Sequence, residues 1–273
     1  MNMIIDIFIA LGVGIALFFL GNFYHDKIAI KISKQRRLLL KIMSLIKTKD
    51  SKVAIIYGCV TPQRDSDAFF LEQGDFSAII KSKDIIGKVF PTSKQDFLPG
   101  VNLCPDLLNY ENIFSISGPK WNPITAKIIN DLGCPVEFDF ERRIVRVINN
   151  ITMKSIEYET KKIDGELATE CYGIILSGSI KKAGSALQKV IVCAGRTTIS
   201  TYSCVSYLNY LSCSKNEIKK LIKKGINSNT NWCILLRTRR LQQENKGTNI
   251  PLHDVDVSID VVQIFHQDDF LNS

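Results

Sequence analysis

Short apolar runs, each ending at a glycine, recur along most of the chain. They occupy residues 53–57, 113–117, 173–177 and 190–194, and they are followed by Gly58, Gly118, Gly178 and Gly195. Strands that are apolar throughout suit a parallel sheet buried on both faces. Strand, glycine and helix-like segment in alternation are typical of a doubly wound α/β fold. The sequence therefore predicts an α/β, Rossmann-like domain with a mainly parallel sheet.

Other segments predict antiparallel hairpins at the edges of this sheet. Residues 136–147 and 151–158 alternate polar and apolar side chains around Asn149-Asn150, which indicates a hairpin. Residues 232–241 and 255–265 are expected to be two closing strands joined by a polar loop. Residues 76–90 have the spacing of a helix packed on a sheet, and the basic run 216–225 predicts a helix that ends at Gly225.

The first 24 residues predict a single transmembrane helix. Residues 7–23 (IFIALGVGIALFFLGNF) carry no charge, and as a helix this stretch is roughly 26 Å long, close to the thickness of the hydrocarbon core. The alternatives are a buried core helix and a cleaved signal peptide. The signal peptide is disfavoured because the preceding MNMIID is acidic and no A-x-A pattern follows the apolar run.

Positive charge is concentrated in the next segment. Residues 25–52 contain nine Lys or Arg against two Asp, a net charge of +7, whereas the whole chain carries +8. Because positive flanks stay in the cytoplasm, we expect the N-terminus outside, a cytoplasmic domain over residues 53–273, and location in the inner or cell membrane. The near-neutral domain gives no indication of a nucleic-acid groove.

The basic segment 25–52 also has apolar residues at helical spacing: Ile28, Ile32, Leu39, Met43 and Ile46. One interpretation is an amphipathic helix that lies on anionic lipid. The other is that the segment only sets topology and acts as a spacer. The sequence leaves both open.

Cysteine and histidine spacing does not indicate a metal site. The eight cysteines form no C-x-x-C pair and none has a histidine at zinc spacing, while the three histidines are dispersed. A cytoplasmic location disfavours disulfides. Several cysteines stand in apolar runs such as VIVCAG and WCILL, where free cysteine is expected to act as a small core residue.

Two strand–glycine–helix units predict a ligand site. Residues 113–132 and 190–208 each have a strand, a glycine, a polar turn and then a helix that opens near Thr125 or Thr198. Glycine permits close approach to the backbone, and a helix N-terminus favours anions. In such sheets ligands bind at the carboxyl ends of strands. The predicted site consists of Gly58, Gly118, Pro119, Asn122, Thr125, Gly195 and Thr198.

A purely structural interpretation competes with this site. The glycines would only make tight turns, and Asn122 and Thr198 would be N-caps. Neither unit is a G-x-G-x-x-G or a P-loop motif. Trp121 either stacks on a base or covers the sheet edge. Arg237, Arg239 and Arg240 are interpreted as a solvated strand face.

The same motifs resemble a group of prokaryotic Rossmann-like domains of unassigned function. Those domains carry a GGP-x-x-N-x-x-[ST] turn, a D-Y-G strand and an AG-x-x-x-x-G-T segment, and archaeal S-layer-type domains share a similar pair. Here SGPKWNPIT (117–125), CYGIIL (171–176) and VCAG (192–195) stand at these places. Ser117 replaces the first glycine and Cys171 the aspartate, and residues 199–201 replace the G-T step. The resemblance implies a fold, a candidate pocket and a module beside a membrane or DNA-binding segment.

Three function classes remain open from the sequence. The favoured hypothesis is a membrane-anchored sensor or effector that binds a small anionic ligand, with a nucleotide as one candidate, and changes its homo-oligomerisation or the state of the membrane helix. A second is a nucleoside- or glycosyl-transferring or hydrolysing enzyme using Asp65, Asp67 or Glu72. A third is a ligand-free scaffold. The sequence names no cofactor and no catalytic constellation.

Overall fold

The structure is a computed structural model. It describes residues 34, 36–43, 52–59, 73–89, 94–100, 107, 109–149, 152–163, 167–181, 187–240 and 257–271. The helices are α1 (residues 36–42), α2 (Gln73–Val89), α3 (Pro123–Asp131), α4 (Thr198–Cys213) and α5 (Lys215–Lys223). The strands are β1 (Lys52–Tyr57), β2 (Lys94–Pro99), β3 (Asn112–Ile116), β4 (Val136–Asp139), β5 (Ile144–Ile148), β6 (Ser155–Glu159), β7 (Lys161–Ile163), β8 (Leu167–Lys181), β9 (Leu187–Gly195), β10 (Trp232–Arg240) and β11 (Val257–Phe265).

A central sheet has the strand order β11-β10-β8-β9-β3-β1-β2, with β7 paired to β8. Strands β2, β1, β3 and β9 are mutually parallel, and β8, β10 and β11 continue the sheet in antiparallel pairing. This confirms an α/β fold with a mainly parallel sheet and antiparallel strands. The predicted closing strands β10 and β11 pair with each other as expected.

One of the four predicted strand–glycine turns is wrong. Residues 173–177 belong to the fifteen-residue strand β8, which runs on through Gly178 and is antiparallel to both of its neighbours in the main sheet order. The glycines serve packing here, because a Cβ on Gly173 would lie 2.7 Å from Cys204 Sγ. A Cβ on Gly178 would lie 2.6 Å from the Asn231 side-chain oxygen. A glycine inside a strand often marks such a close approach rather than a turn.

A second, three-stranded antiparallel sheet has the order β4-β5-β6. The hairpin at Asn149 is confirmed, since β5 and β6 pair and the Asn149 N–H donates to the Lys154 carbonyl at 2.9 Å. Its predicted place at an edge of the central sheet is wrong, because both strands belong to this separate sheet. The predicted single strand 136–147 is interrupted by a turn at residues 140–143, where Arg143 has φ 60°. Its alternating pattern continues across this turn, which explains why the sequence did not reveal the break.

Two apolar cores lie on the two faces of the central sheet. One contains side chains from α1, α2, α4 and α5, and the other contains side chains from α3, the small sheet and Phe270. Six of the seven cysteines in the described ranges are buried and Cys213 is exposed. Cys104 lies outside those ranges. The interpretation of the cysteines in apolar runs as small core residues is confirmed for Cys59, Cys193 and Cys233.

Helix α1 packs on the core of the domain. Leu39, Ile42 and Met43 are completely or almost completely buried, and the Trp232 indole N–H donates to the Ile42 carbonyl at 2.8 Å. The Arg36 Nε–H donates to the carbonyl of Val89, the last residue of α2, at 2.7 Å. Part of the basic segment thus belongs to the folded domain, and its apolar side chains at 39 and 43 face protein.

No helix within the described part of the chain is both long and apolar enough to cross a bilayer. The predicted span, residues 7–23, lies outside that part.

Candidate functional site

The carboxyl ends of β1, β3 and β9 lie side by side, and they bring the three predicted glycines together. The Gly58 N–H donates to the Ile116 carbonyl and the Ser117 N–H to the Cys193 carbonyl, both at 3.2 Å. A Cβ on Gly58 would lie 2.7 Å from the Ser117 Cβ, and one on Gly118 would meet the carbonyl oxygen of Gly195. The absence of side chains therefore lets neighbouring strand ends pack against each other.

Gly195 is equally enclosed. A Cβ there would meet the Ser200 hydroxyl and lie 2.5 Å from the Thr201 backbone nitrogen in the first turn of α4. Larger residues at Gly118 or Gly195 would press on backbone atoms, which cannot move aside cheaply. Substituting larger residues for these glycines is thus expected to impair folding, so the substitutions do not by themselves test ligand binding.

Asn122 and Thr125 connect α3 to β3. Both side chains are fully buried. The Asn122 side-chain oxygen accepts from the Ile124 and Thr125 N–H groups at 3.1 Å, and its amide donates to the Ile116 carbonyl at 2.8 Å. The Thr125 and Ser115 hydroxyls lie 2.8 Å apart. Asn122 is therefore the N-cap of α3, and the N-terminus of this helix is satisfied from within the protein.

The second unit differs from the prediction by one residue. Thr197, not Thr198, is the N-cap of α4, and it forms a reciprocal capping box with Ser200. Thr198 is the first helical residue and packs closely on Gly74 at the start of α2. The interpretation of Thr198 as the N-cap is therefore wrong. The sequence does not distinguish the two adjacent threonines, because both offer the same capping chemistry.

The turn after β3 is more open. Pro119 is partly buried in this turn, and Trp121 has an exposed fraction of 39%. The Lys120 ammonium lies 4.9 Å from the centre of the Trp121 ring. An exposed indole under a cation is a cation–π pair, and it leaves Trp121 at the surface near the strand ends.

Ser117 connects β3 to the start of α2. It is fully buried with φ 89°, and its hydroxyl donates to Asp75 in the first turn of α2. A positive φ is uncommon for a residue with a side chain. In the motif that this turn resembles, the position is a glycine, which adopts this φ without strain.

Arg196 stands directly after β9 and before the N-cap of α4, at the same edge. Its Nη2 donates to the Phe140 carbonyl at 3.3 Å, while its buried Nε has no hydrogen-bond partner among the described residues. Burial, and then the positive charge of Arg143, lower the pKa of the Arg196 guanidinium, and Asp139 acts in the opposite direction. Neither arginine forms an ion pair within the described ranges.

Arg196 is not among the site residues that the sequence predicts, although it directly follows the predicted Gly195. The sequence feature that indicates Arg196 is its position immediately after an apolar strand and its glycine. The contribution of Arg143 depends on a turn in the second sheet, so the linear sequence does not indicate it.

A second cluster of polar side chains lies close to Arg196, on β8, β10 and β11. The Arg196 N–H approaches the Tyr172 carbonyl at 3.4 Å. The Tyr172 hydroxyl donates to Glu170 at 2.7 Å, and burial together with this carboxylate raises the pKa of Tyr172 to about 12. Arg237 and Arg239 both pair with Asp260, so this strand face is partly neutralised rather than free. The side chain of Arg240 lies outside the described part.

The described residues contain no group of three or more His, Cys, Asp or Glu side chains that is placed to hold a metal ion. The alternative catalytic candidates Asp65, Asp67 and Glu72 lie outside the described residues. No protein-family model matches the sequence, and no curated protein matches it. The resemblance to Rossmann-like domains of unassigned function therefore stays a prediction.

Proposed function

We propose that this chain is a membrane-anchored sensor or effector whose cytoplasmic α/β domain binds a small anionic ligand at the carboxyl edge of its sheet. Residues 7–23 would supply the anchor. The ligand would lie at the end of β9, against the guanidinium groups of Arg196 and Arg143. Binding there would change the assembly of the domain or the state of the membrane helix.

Arg196 is the observation that carries this proposal. A buried guanidinium Nε without a partner is costly, and a second cation beside it adds repulsion. An anion that accepts from Arg196 and lies near Arg143 removes both costs at once. Guanidinium groups suit phosphate and carboxylate because they donate in a planar fork. The positive end of the α4 dipole acts in the same direction.

The site is thus shifted from the one that the sequence predicts. At the first unit Asn122 already satisfies the N-terminus of α3, so that helix offers less to a ligand. At the second unit the capping box satisfies the Ser200 N–H, but the guanidinium of Arg196 still has a buried donor. We therefore place the anion at the β9–α4 junction, with Gly118 and Gly195 as the packed support beneath it.

The test is the thermal stability of the purified full chain with phosphate, pyrophosphate and nucleotides, each compared with chloride at equal ionic strength. A ligand at 100 times its dissociation constant adds about 2.7 kcal/mol, which is roughly 5–10 °C in Tm. We expect Arg196→Gln to weaken the effective anion at least tenfold, because a hydrogen bond to a charged group contributes about 1.5–3 kcal/mol.

The matched control is Arg142→Gln in the adjacent turn. Arg142 already pairs with Glu157 at 2.8 Å on the outer face of the small sheet, so its removal should leave the anion response unchanged. An anion response that survives Arg196→Gln would contradict the proposed position. The absence of any response across the panel would favour the scaffold hypothesis instead.

A further inference from the structure

Four helices meet at the edge of the domain opposite the proposed ligand site. Helices α2 and α4 both begin at the carboxyl edge and end at the opposite one. There Lys88, near the end of α2, donates to Ser212 near the end of α4 at 3.3 Å. Helix α1 is joined to the same place through Arg36 and the Val89 carbonyl. Helix α5 follows α4 after one residue and buries Ile218 and Leu221 in the same core as α1.

This edge carries a high net positive charge. Residues 34–43 contain four Lys or Arg and no acidic residue, a net charge of +4. Residues 215–224 contain five lysines and Glu217, again a net charge of +4. Together the two segments equal the net charge of +8 of the whole chain. The charged side chains of these segments that are exposed are Lys34, Arg37, Lys41, Lys215, Lys219, Lys220, Lys223 and Lys224. We call them the basic edge.

Few carboxylates neutralise this surface. Glu217 pairs with Lys220 at 2.7 Å, and Asp84 lies one turn before Lys88 on α2. The Lys88 ammonium has only neutral partners among the described residues, namely Asn209, Ser212 and Cys213. The outer face of the small sheet is different, because there Arg142 and Arg146 are paired with Glu157 and other acidic side chains.

The apolar side of both basic helices faces the protein. Leu39 and Ile42 on α1 and Ile218 and Leu221 on α5 are buried. A helix that inserts into lipid needs this apolar side free. The basic edge is therefore suited to contact a charged surface through its lysines and arginines, without insertion.

We propose that the basic edge docks the domain on the headgroups of anionic lipids. The inference takes membrane anchoring from the proposed function but concerns a different surface. Only twelve residues separate Phe23, at the end of the predicted span, from Arg36 on α1, so the connection reaches at most about 45 Å even when fully extended. The basic edge is thus the side of the domain that the chain holds towards the bilayer. Each basic residue near an anionic surface adds to the attraction.

The exposed thiol of Cys213, the last residue of α4, provides a reporter beside the start of α5. The full chain, with Cys104→Ser to remove the cysteine outside the described residues, carries a fluorescent donor on Cys213 and is combined with vesicles that contain a headgroup acceptor. One set of vesicles is phosphatidylcholine, and the other contains roughly one-third phosphatidylserine. We expect higher energy transfer in the anionic vesicles, and we expect this excess to fall as salt is raised, because exposed charges are screened.

The variant Lys219→Gln/Lys223→Gln removes two charges from α5 and keeps residues of similar helix propensity. It should weaken docking on anionic vesicles roughly 30-fold and leave the signal on phosphatidylcholine unchanged. The matched control is Lys120→Gln/Lys161→Gln, which removes two exposed lysines outside the basic edge and should behave as the unaltered chain.

The outcomes separate this inference from the proposed function. A chain that co-floats with both kinds of vesicle but shows the same energy transfer in each overturns the docking surface and leaves the anchor intact. A chain that is recruited only by anionic vesicles, and only with its α5 lysines, supports the docking surface and contradicts the anchor. A chain that floats with neither contradicts both. A donor signal that responds to a single-stranded oligonucleotide and not to vesicles assigns the basic edge to nucleic acid and overturns the proposal.

Discussion

A chain that starts at residue 53 is expected to be less stable than one that starts at residue 34 by about 3–6 kcal/mol. The shorter chain loses Leu39, Ile42 and Met43 from the core. It also uncovers the fully buried Trp232, whose indole N–H donates to the Ile42 carbonyl. Domains of ordinary stability have only about 5–15 kcal/mol in total, so the shorter chain is expected to be marginal.

Urea unfolding of the two chains, followed by tryptophan fluorescence, measures this difference. The emission of Trp232 should shift to longer wavelength in the shorter chain even before unfolding. The control is Lys34→Gln/Lys41→Gln in the longer chain, because these side chains are exposed and their removal should change stability by less than about 0.5 kcal/mol. Equal urea midpoints for the two chains would show that α1 adds nothing to the domain.

The boundary at residue 52 illustrates what a linear pattern leaves out. Composition separates residues 25–52 from the rest because charge changes abruptly there, and that separation predicts a linker or a lipid-facing helix. Helical spacing of Leu39 and Met43 indicates an apolar side, but it does not say whether lipid or protein covers it. Part of that cover is Trp232, which donates to the Ile42 carbonyl and lies 190 residues after it in the chain. Contacts of such sequence separation cannot be obtained from local periodicity.

The fold itself was predictable where local signals were strong. Strands β1, β3 and β9 are mostly apolar and each ends at or near a glycine, and all three are central parallel strands. Strand β8 carries the same signal, yet it is antiparallel to β9 and β10. Its glycines, Gly173 and Gly178, make room for Cys204 and Asn231 and do not end the strand. A glycine after an apolar run therefore has two physical meanings, a turn or a close approach, and a single sequence does not distinguish them.

The sequence predicted at which edge of the sheet the candidate site lies, but it did not predict the charged side chains of the site. Gly58, Gly118 and Gly195 lie together, but they pack on each other and on α4. The charged groups that now define the proposed anion site are Arg196 and Arg143, and their proximity depends on the turn at residues 140–143. The positions of the glycines in the sheet followed from the periodicity of the sequence. The charges at the site depend on where the second sheet packs, which periodicity does not indicate.

Asn122→Ala is expected to destabilise the protein by about 3 kcal/mol. The substitution removes the N-cap of α3, which contributes about 1–2 kcal/mol. It also removes the amide that donates to the Ile116 carbonyl and to Ser115 inside the protein, and buried groups left without a partner cost a further 1–3 kcal/mol or so. Thermal or urea unfolding of the full chain measures the loss.

The matched control is Asn130→Ala, an exposed asparagine on the same helix, which should change stability by less than about 0.5 kcal/mol. Asn122 also belongs to the ligand site that the sequence predicts, and the two roles give different results. If the role of Asn122 is structural, Asn122→Ala lowers the free energy of unfolding equally with and without the anion that stabilises the unaltered chain. If instead Asn122→Ala leaves the unfolding free energy unchanged and abolishes the anion response, then Asn122 contacts the ligand, and the site lies at the β3–α3 turn rather than at Arg196.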